Sequence, residues 1–391
     1  MKPSDLKIPR HEFAERIARL QGIMAKHGLD LLVTHACECE SASVRYLTDF
    51  WSVFDFVGVL VPRIGAPILL TGGPESYDFA RQFAQIDDIR VHPMYVETCA
   101  PEFDKPSNPY NYRMILDEFR KRAPIRRIGI ANPNTLPYKI YADLVAAADG
   151  AQIVEVETLL PEMRLIKSES ELNVLREAYR ITEEALKRTV AALRVGVTER
   201  ELLAVWKSAV FEMGAEGFGY PVWITSGPNT FQSLCKSTDR AICNNEMVQF
   251  SVGAKFNGYC GNIGRVAVLG EIPQRHLDMI RIAQECAEET ISMMAPGVEC
   301  AMIYNRFQER LNRYGFGGLS LYGPAHSTGM QEVDGPWVDN RSDRVLEPNS
   351  AYNIDIWIAD EKYGVRLEDG VIVTETGLEV LTPWHREIIW V

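Results

Sequence analysis

Residues 351–360, AYNIDIWIAD, constrain this chain more than any other segment, because they set a carboxylate, Asp355, in the middle of an apolar strand. Ile354, Ile356 and Ile358 alternate around it with Asn353 and Trp357. A carboxylate taken out of water in such a strand is costly unless it is paired or put to use. Alternation alone leaves the matter even, since a half-exposed strand could also turn Asp355 to solvent.

Three other stretches of the carboxyl-terminal half belong with it. Residues 247–270, MVQFSVGAKFNGYCGNIGRVAVLG, read as a buried strand, a Gly-Tyr turn and a returning strand. Residues 323–330, GPAHSTGM, flank His326 with glycines that would let a ligand approach. Residues 364–381, GVRLEDGVIVTETGLEVL, put Glu368 at a strand entry beside Arg366 and Asp369. Taken singly, Glu368 reads as part of a solvated turn and His326 as a structural histidine.

The rest of the pattern falls into two halves, as 391 residues allow. Up to about residue 160, helix and strand alternate, which argues for an α/β domain. Helix is predicted over residues 13–27, with Gly28 as its C-cap, and over residues 138–148. Strands are predicted over residues 29–34, 44–50, 54–61, 67–70 and 127–130, and Ser76 is the expected cap of a helix over residues 77–85. Residues 97–112 read as a long loop, with the aromatic stretch 103–112 a candidate lid. From residue 161, Ser168 with Glu171 and Thr198 with Glu201 form capping boxes that open two helices. Strands are expected over residues 247–252, 266–269, 351–358 and 371–374, with helices over 274–294 and 302–314. Strands in runs and helices in runs fit an α+β domain over residues 161–391.

Charge narrows the partners. With 53 acidic against 41 basic residues, the formal charge of -12 offers no basic field for nucleic acid or an anionic membrane surface. The amino terminus lacks an apolar leader core and no apolar run reaches membrane-spanning length, so a cytoplasmic location is expected. Eight cysteines read as free thiols, and Cys37 and Cys39 are too closely spaced for an easy bridge or a metal knuckle.

In order and spacing, the four stretches resemble the creatinase, prolidase and aminopeptidase P family, whose catalytic domain has the pita-bread fold. The resemblance covers roughly residues 160–391, and the first half fits the family's companion domain. Metallopeptidases of that family present Asp, Asp, His, Glu and Glu around two metal ions. Gly253, Gly258, Tyr259, Ile263 and Arg265 keep the register of the family's first strands, but the two aspartates read Ser251 and Asn262. His326 stands at the family histidine, Asp355 where a glutamate is usual, and Glu368 in the family's Arg-x-Glu-Asp motif. The second histidine of many peptidases reads Val333. Creatinase, the metal-free relative, has its own acid-base residues where this chain has Leu234 and Gly264.

The resemblance therefore implies an α/β amino-terminal domain plus an α+β pita-bread carboxyl-terminal domain. Loss of two anionic ligands removes the charge that a bridged metal pair needs. The expectation is a creatinase-like hydrolase that cleaves a C–N bond of a small polar metabolite by general acid-base chemistry, with no cofactor. Glu368 would activate water, His326 would shuttle the proton and Asp355 would set the histidine's charge. Ser251, Asn262, Tyr259, Phe231 and Arg366 are the expected substrate-binding residues, and Tyr220, Trp223, Trp337 and Trp357 could help box an apolar or cationic ligand. Arg265 and Arg366 are expected to pair with Asp355, Glu368 or Asp369. Two alternatives stand beside this reading. One is an Xaa-Pro-type metallopeptidase with a single divalent ion on His326, Asp355 and Glu368. The other is an inactive ligand-binding or interaction member. A homodimer acting on a small molecule, without nucleic acid or membrane, completes the expectation.

Overall fold

The structure, a computed structural model, describes residues 6–97 and 109–391, so most of the expected lid lies outside the described residues. Contacts divide the chain into two units, Ile8–Arg164 and Leu165–Val391, the second taking in Leu6 and Lys7.

The first unit is α/β. Its helices are α1 (Arg10–Lys26), α2 (Ala42–Thr48), α3 (Pro74–Phe83), α4 (Tyr112–Arg120), α5 (Tyr138–Ala148) and α6 (Leu159–Leu165). The strands β1 (Leu31–Ala36), β2 (Val57–Pro62), β3 (Ile68–Thr71), β4 (Ile89–Val91), β5 (Arg127–Ile130) and β6 (Gln152–Glu155) form one sheet in the order β4-β3-β2-β1-β5-β6. Leu31, Val33, Leu60 and Ile128 pack with Ile115 and Leu116 of α4 and Leu144 of α5.

Two local expectations fail here for identifiable reasons. Residues 44–50 were expected as a strand, but most of them lie in α2, whose seven residues are all buried. A run that short and apolar carries no period to separate strand from helix. Asp49, at φ 60, ends the helix in the left-handed conformation. Nor does Ser76 cap α3. Gly73 holds the N-cap position and Pro74 the first helical one. The anion at this helix start is Asp55, whose Oδ2 accepts from Gly73 N (3.1 Å) and Ser76 Oγ (2.6 Å).

The second unit is α+β. Its helices are α7 (Glu169–Ala191), α8 (Glu199–Glu212), α9 (Gln274–Met293) and α10 (Cys300–Arg313). Both capping boxes form, Ser168 with Glu171 on α7 and Thr198 with Glu201 on α8. Strands β7 (Gly217–Phe218), β9 (Glu246–Phe256), β10 (Tyr259–Leu269), β11 (Ala325–Ser327), β12 (Trp337–Val338), β13 (Ala351–Ala359) and β14 (Gly364–Val373) run in the order β12-β11-β13-β14-β10-β9-β7. Beside that path β8 (Trp223–Ser226) pairs with β9, β15 (Leu378–Val380) with β14 and β16 (Ile389–Trp390) with β10.

Alternation on β13 and β14 decides where the site lies. Ile354, Ile356, Ile358, Val365 and Leu367 go to a core shared with Ile280 and Ala283 of α9 and Ile303 and Phe307 of α10. A period of two sends Asn353, Asp355, Trp357, Arg366 and Glu368 to the other face. That face is covered too: Asp355 is 3% exposed and Glu368 0%. Glu368 is thus in mid-strand, and neither the strand entry nor the solvated turn that its charged neighbours suggested is observed.

Register then lines residues up across the sheet. Trp223 on β8 stands opposite Ser251 on β9, Ser251 opposite Gly264 on β10, Gly264 opposite Glu368 on β14, and Glu368 opposite Asp355 on β13. Gly264 is required by this row. A Cβ there would sit 2.7 Å from Glu368 N and 3.1 Å from Glu368 Cβ.

Candidate functional site

Around that row, polar atoms collect where a sheet normally carries apolar ones. Ser251 Oγ, both amide atoms of Asn262, Tyr220 Oη, His326 Nε2, Asp355 Oδ1, Arg366 Nε and both carboxylate oxygens of Glu368 are buried without a hydrogen bond among the described residues. Folded chains satisfy nearly all such atoms, so a concentration of them marks a place built for bound groups.

A cavity of about 410 Å³ opens onto it. Its walls are Tyr220, Trp223, Tyr322, Trp337, Val333 and Leu234, with Glu332, Asp355 and Arg366 as the charged members. The volume and the few polar groups on aromatic walls suit a small organic ligand.

Arg366 organises the charges. Its Nε lies 3.5 Å from Asp355 Oδ1 and its Nη1 3.7 Å from Glu368 Oε1. Its Nη2 donates to the Tyr322 hydroxyl. The guanidinium also lies 5.4 Å from the Trp357 ring centroid and 5.8 Å from that of Trp223. The aromatic box expected for a cationic ligand therefore already houses a cation of the protein. Arg265 makes the tighter pair, 2.7 Å from Asp369, which also accepts from Thr382 Oγ1.

Protonation follows from these distances. Burial, and then the charge of Asp355, push Glu368 up to about 8, so it holds its proton at neutral pH. Burial also raises Asp355, against the pull of Arg366 and His326. Burial works against a charged His326, but the Glu332 carboxylate 3.4 Å from its Nε2, together with Asp355 and Ser327 O, outweighs it and the histidine is raised overall. Its Nδ1 faces Ser327 O at 3.1 Å. Burial opposes ionisation of Glu332, and His326 draws it down.

The residues expected at the site are placed unevenly. Asp355 and Arg366 line the cavity, whereas Ser251, Asn262, His326 and Glu368 are buried and outside its lining. Tyr259 and Phe231 do not line it either. The Tyr259 hydroxyl donates to Glu171 Oε1 at 2.6 Å, inside the capping box of α7, and Phe231 is 44% exposed. Four residues with no place in the sequence reading line it, Pro221, Cys235, Tyr322 and Glu332, of which Glu332 carries charge. An acidic residue six positions after the glycine-flanked histidine was the available signal for Glu332.

The sequence profile of the metallopeptidase family M24 matches residues 173–375, and that of the creatinase/prolidase N-terminal domain matches residues 16–166. An Xaa-Pro dipeptidase of Pyrococcus horikoshii is 26% identical over 276 residues, 70% of this chain and 78% of that protein. An uncharacterized peptidase of Bacillus subtilis is 26% identical over 269 residues, 68% and 75% of the two chains. Among solved structures, an X-Pro aminopeptidase from Thermotoga maritima superposes with a TM-score of 0.82 at 22% identity, covering 96% of this chain and 99% of that one. A prolidase from Pyrococcus horikoshii gives 0.81 at 22%, covering 96% and 100%. At that identity the two structures speak for the fold: an α/β domain followed by an α+β pita-bread domain.

These matches correct the cofactor expectation. A reading without any cofactor was drawn from the lost aspartates, whereas the matching profile is that of metallopeptidases and a matching relative is an Xaa-Pro dipeptidase. Among the described residues, no group of three or more His, Cys, Asp or Glu could hold an ion. Arg366 lies against both Asp355 and Glu368, and Nε2 of His326 faces Glu332. Ser251 and Asn262 bring oxygens without charge. The side chains as arranged do not fit a carboxylate-bridged ion pair, and no step is derived through one. No helix among the described residues is long and apolar enough to cross a membrane.

Proposed function

This chain belongs to the metallopeptidase family M24, and on that premise we propose that it hydrolyses the C–N bond of small amides or dipeptides, Xaa-Pro dipeptides included. The observation that carries the reading is the pairing of two proton-handling groups around one cavity, Asp355 with Glu368 and Glu332 with His326.

Cleavage of an amide needs a base for water and an acid for the leaving nitrogen. Asp355 lines the cavity and takes the proton of the attacking water. Glu368, opposite it and protonated up to about pH 8, keeps a second negative charge out of the pair. Arg366, also in the lining, offers positive charge to the oxygen that becomes anionic. Glu332 relays a proton from His326 to the leaving nitrogen, since Glu332 lines the cavity and the histidine lies behind it. These roles differ from those expected for Glu368 and Asp355 because burial leaves Glu368 protonated and off the cavity wall. Aromatic walls select the substrate's apolar side. A homodimer remains part of the proposal, tested by the mass of the chain in solution.

The test is a turnover panel of small amides, amidines and dipeptides with and without added divalent metal ion. Hydrolysis of at least one, reduced about a hundred-fold or more in Asp355→Asn with an unchanged fold, is the expected result. Absence of turnover in both conditions, with thermal stabilisation by a panel member, would replace the enzyme by a binding protein.

A further inference from the structure

We propose that Cys37 and Cys39 form a reversible dithiol–disulfide site that reacts with hydroperoxides. Their sulfurs lie 3.1 Å apart, although the spacing in sequence argued against a bridge. A disulfide bond is about 2.05 Å long, so closure needs about 1 Å of movement.

The turn that holds them is built. Cys37 N donates to Glu40 O at 3.0 Å and Glu40 N to Cys37 O at 3.2 Å, closing a small ring around Glu38 and Cys39. Both flanking carboxylates are tied down. Glu38 Oε1 accepts from Phe54 N at 3.2 Å, and Glu40 Oε2 accepts from Asn132 Nδ2 at 3.0 Å. With the backbone and both glutamates held, the two thiols keep their approach. The seven described cysteines are all free, and of these Cys39 and Cys243 are exposed. Cys37 is half-buried, and burial with the adjoining thiol pushes it up, so Cys39 is the sulfur that meets the oxidant first.

The chemistry balances with one peroxide. The Cys39 thiolate attacks the outer peroxide oxygen, the O–O bond breaks, and the alcohol or water leaves with a proton, giving a sulfenic acid. Cys37 sulfur then attacks that sulfur, the S–O bond breaks, and water leaves with the Cys37 proton. Two electrons pass from the sulfurs to the peroxide, and an external dithiol returns them.

Full-length reduced protein would be treated with equimolar hydrogen peroxide, alkylated, digested and read by mass spectrometry. The peptide holding both cysteines should take up no alkyl group and lose two hydrogens, and dithiothreitol should restore two alkylated thiols. Cys39→Ser should abolish this change, while Cys243→Ser leaves it intact. Recovery of the peptide with both cysteines alkylated, in a sample whose Cys243 has been oxidised, would overturn the proposal. So would the same loss of two hydrogens in Cys39→Ser.

Discussion

Asp355 and Glu368 stand directly opposite one another on β13 and β14, and the guanidinium two residues before Glu368 lies within 3.7 Å of both carboxylates. Two acids in one buried place cannot both ionise at ordinary cost, and the arrangement resolves this by leaving the proton on Glu368. The charge balance of the sheet's inner face rests on that choice.

Glu368 therefore couples stability to pH. Its folded value of about 8 lies above that of an unfolded glutamate, so the folded state binds more protons between roughly pH 4.5 and 8. Stability from this group is complete below that window and is lost as the pH rises through 8, with a slope of at most about 1.4 kcal/mol per pH unit. Urea unfolding at intervals from pH 5 to 9 should show the decline, and Glu368→Gln should flatten it.

Removing the cation should be severe. Arg366→Met leaves the buried Asp355 carboxylate without its counter-charge, a loss of about 3–5 kcal/mol. Lowering the pH should recover part of it, because protonated carboxyls need no partner. Equal destabilisation at pH 5 and pH 8 would show that the packing of the arginine stem dominates.

Glu332 is expected to govern His326. Glu332→Gln removes the charge that does most to raise the histidine and leaves burial against the weaker pull of Asp355 and Ser327 O, so the imidazole should titrate lower than in the unaltered protein. NMR titration of the labelled ring reads this directly, and turnover should fall with it. Unchanged titration would separate the two side chains.

Tyr259→Phe separates scaffold from site. Its hydroxyl serves Glu171 in the capping box of α7, so about 1 kcal/mol of stability should be lost while kcat and KM stay as they were. A large change in KM would return Tyr259 to the substrate-binding group.

Gly264→Ala tests how closely β10 and β14 approach. The added carbon would meet backbone, which cannot swing aside, and a cost of about 1–3 kcal/mol or a failure to fold is expected from thermal unfolding.

How much of this could be read from residues alone depends on whether the signal was local. Capping boxes at Ser168 and Thr198 are written in four consecutive residues and appear in the fold as expected. Residues 44–50 were misread because seven buried residues carry no period. Asp355 was recognised as exceptional, but its alternation could not say whether its face was wet. That answer came from residues more than ten positions away in either direction, Tyr322 and Arg366, which stand beside it. Tyr259 and Phe231 lie off the cavity wall for a related reason, since lying near a motif does not tell which way a side chain points. Glu332 was overlooked because it sits in a loop whose course depends on Trp337 and β12.

The row from Trp223 through Ser251, Gly264 and Glu368 to Asp355 crosses five strands drawn from residues that span most of the second unit. A slip of one position between β13 and β14 would send Glu368 into the oily layer and present Leu367 or Asp369 in its place. Assembly of the charged cluster is consequently tied to the pairing of β13 with β14. A chain whose β13 and β14 have not reached that register lacks the cluster, so the proposed turnover, followed during refolding, reads the moment at which those two strands pair.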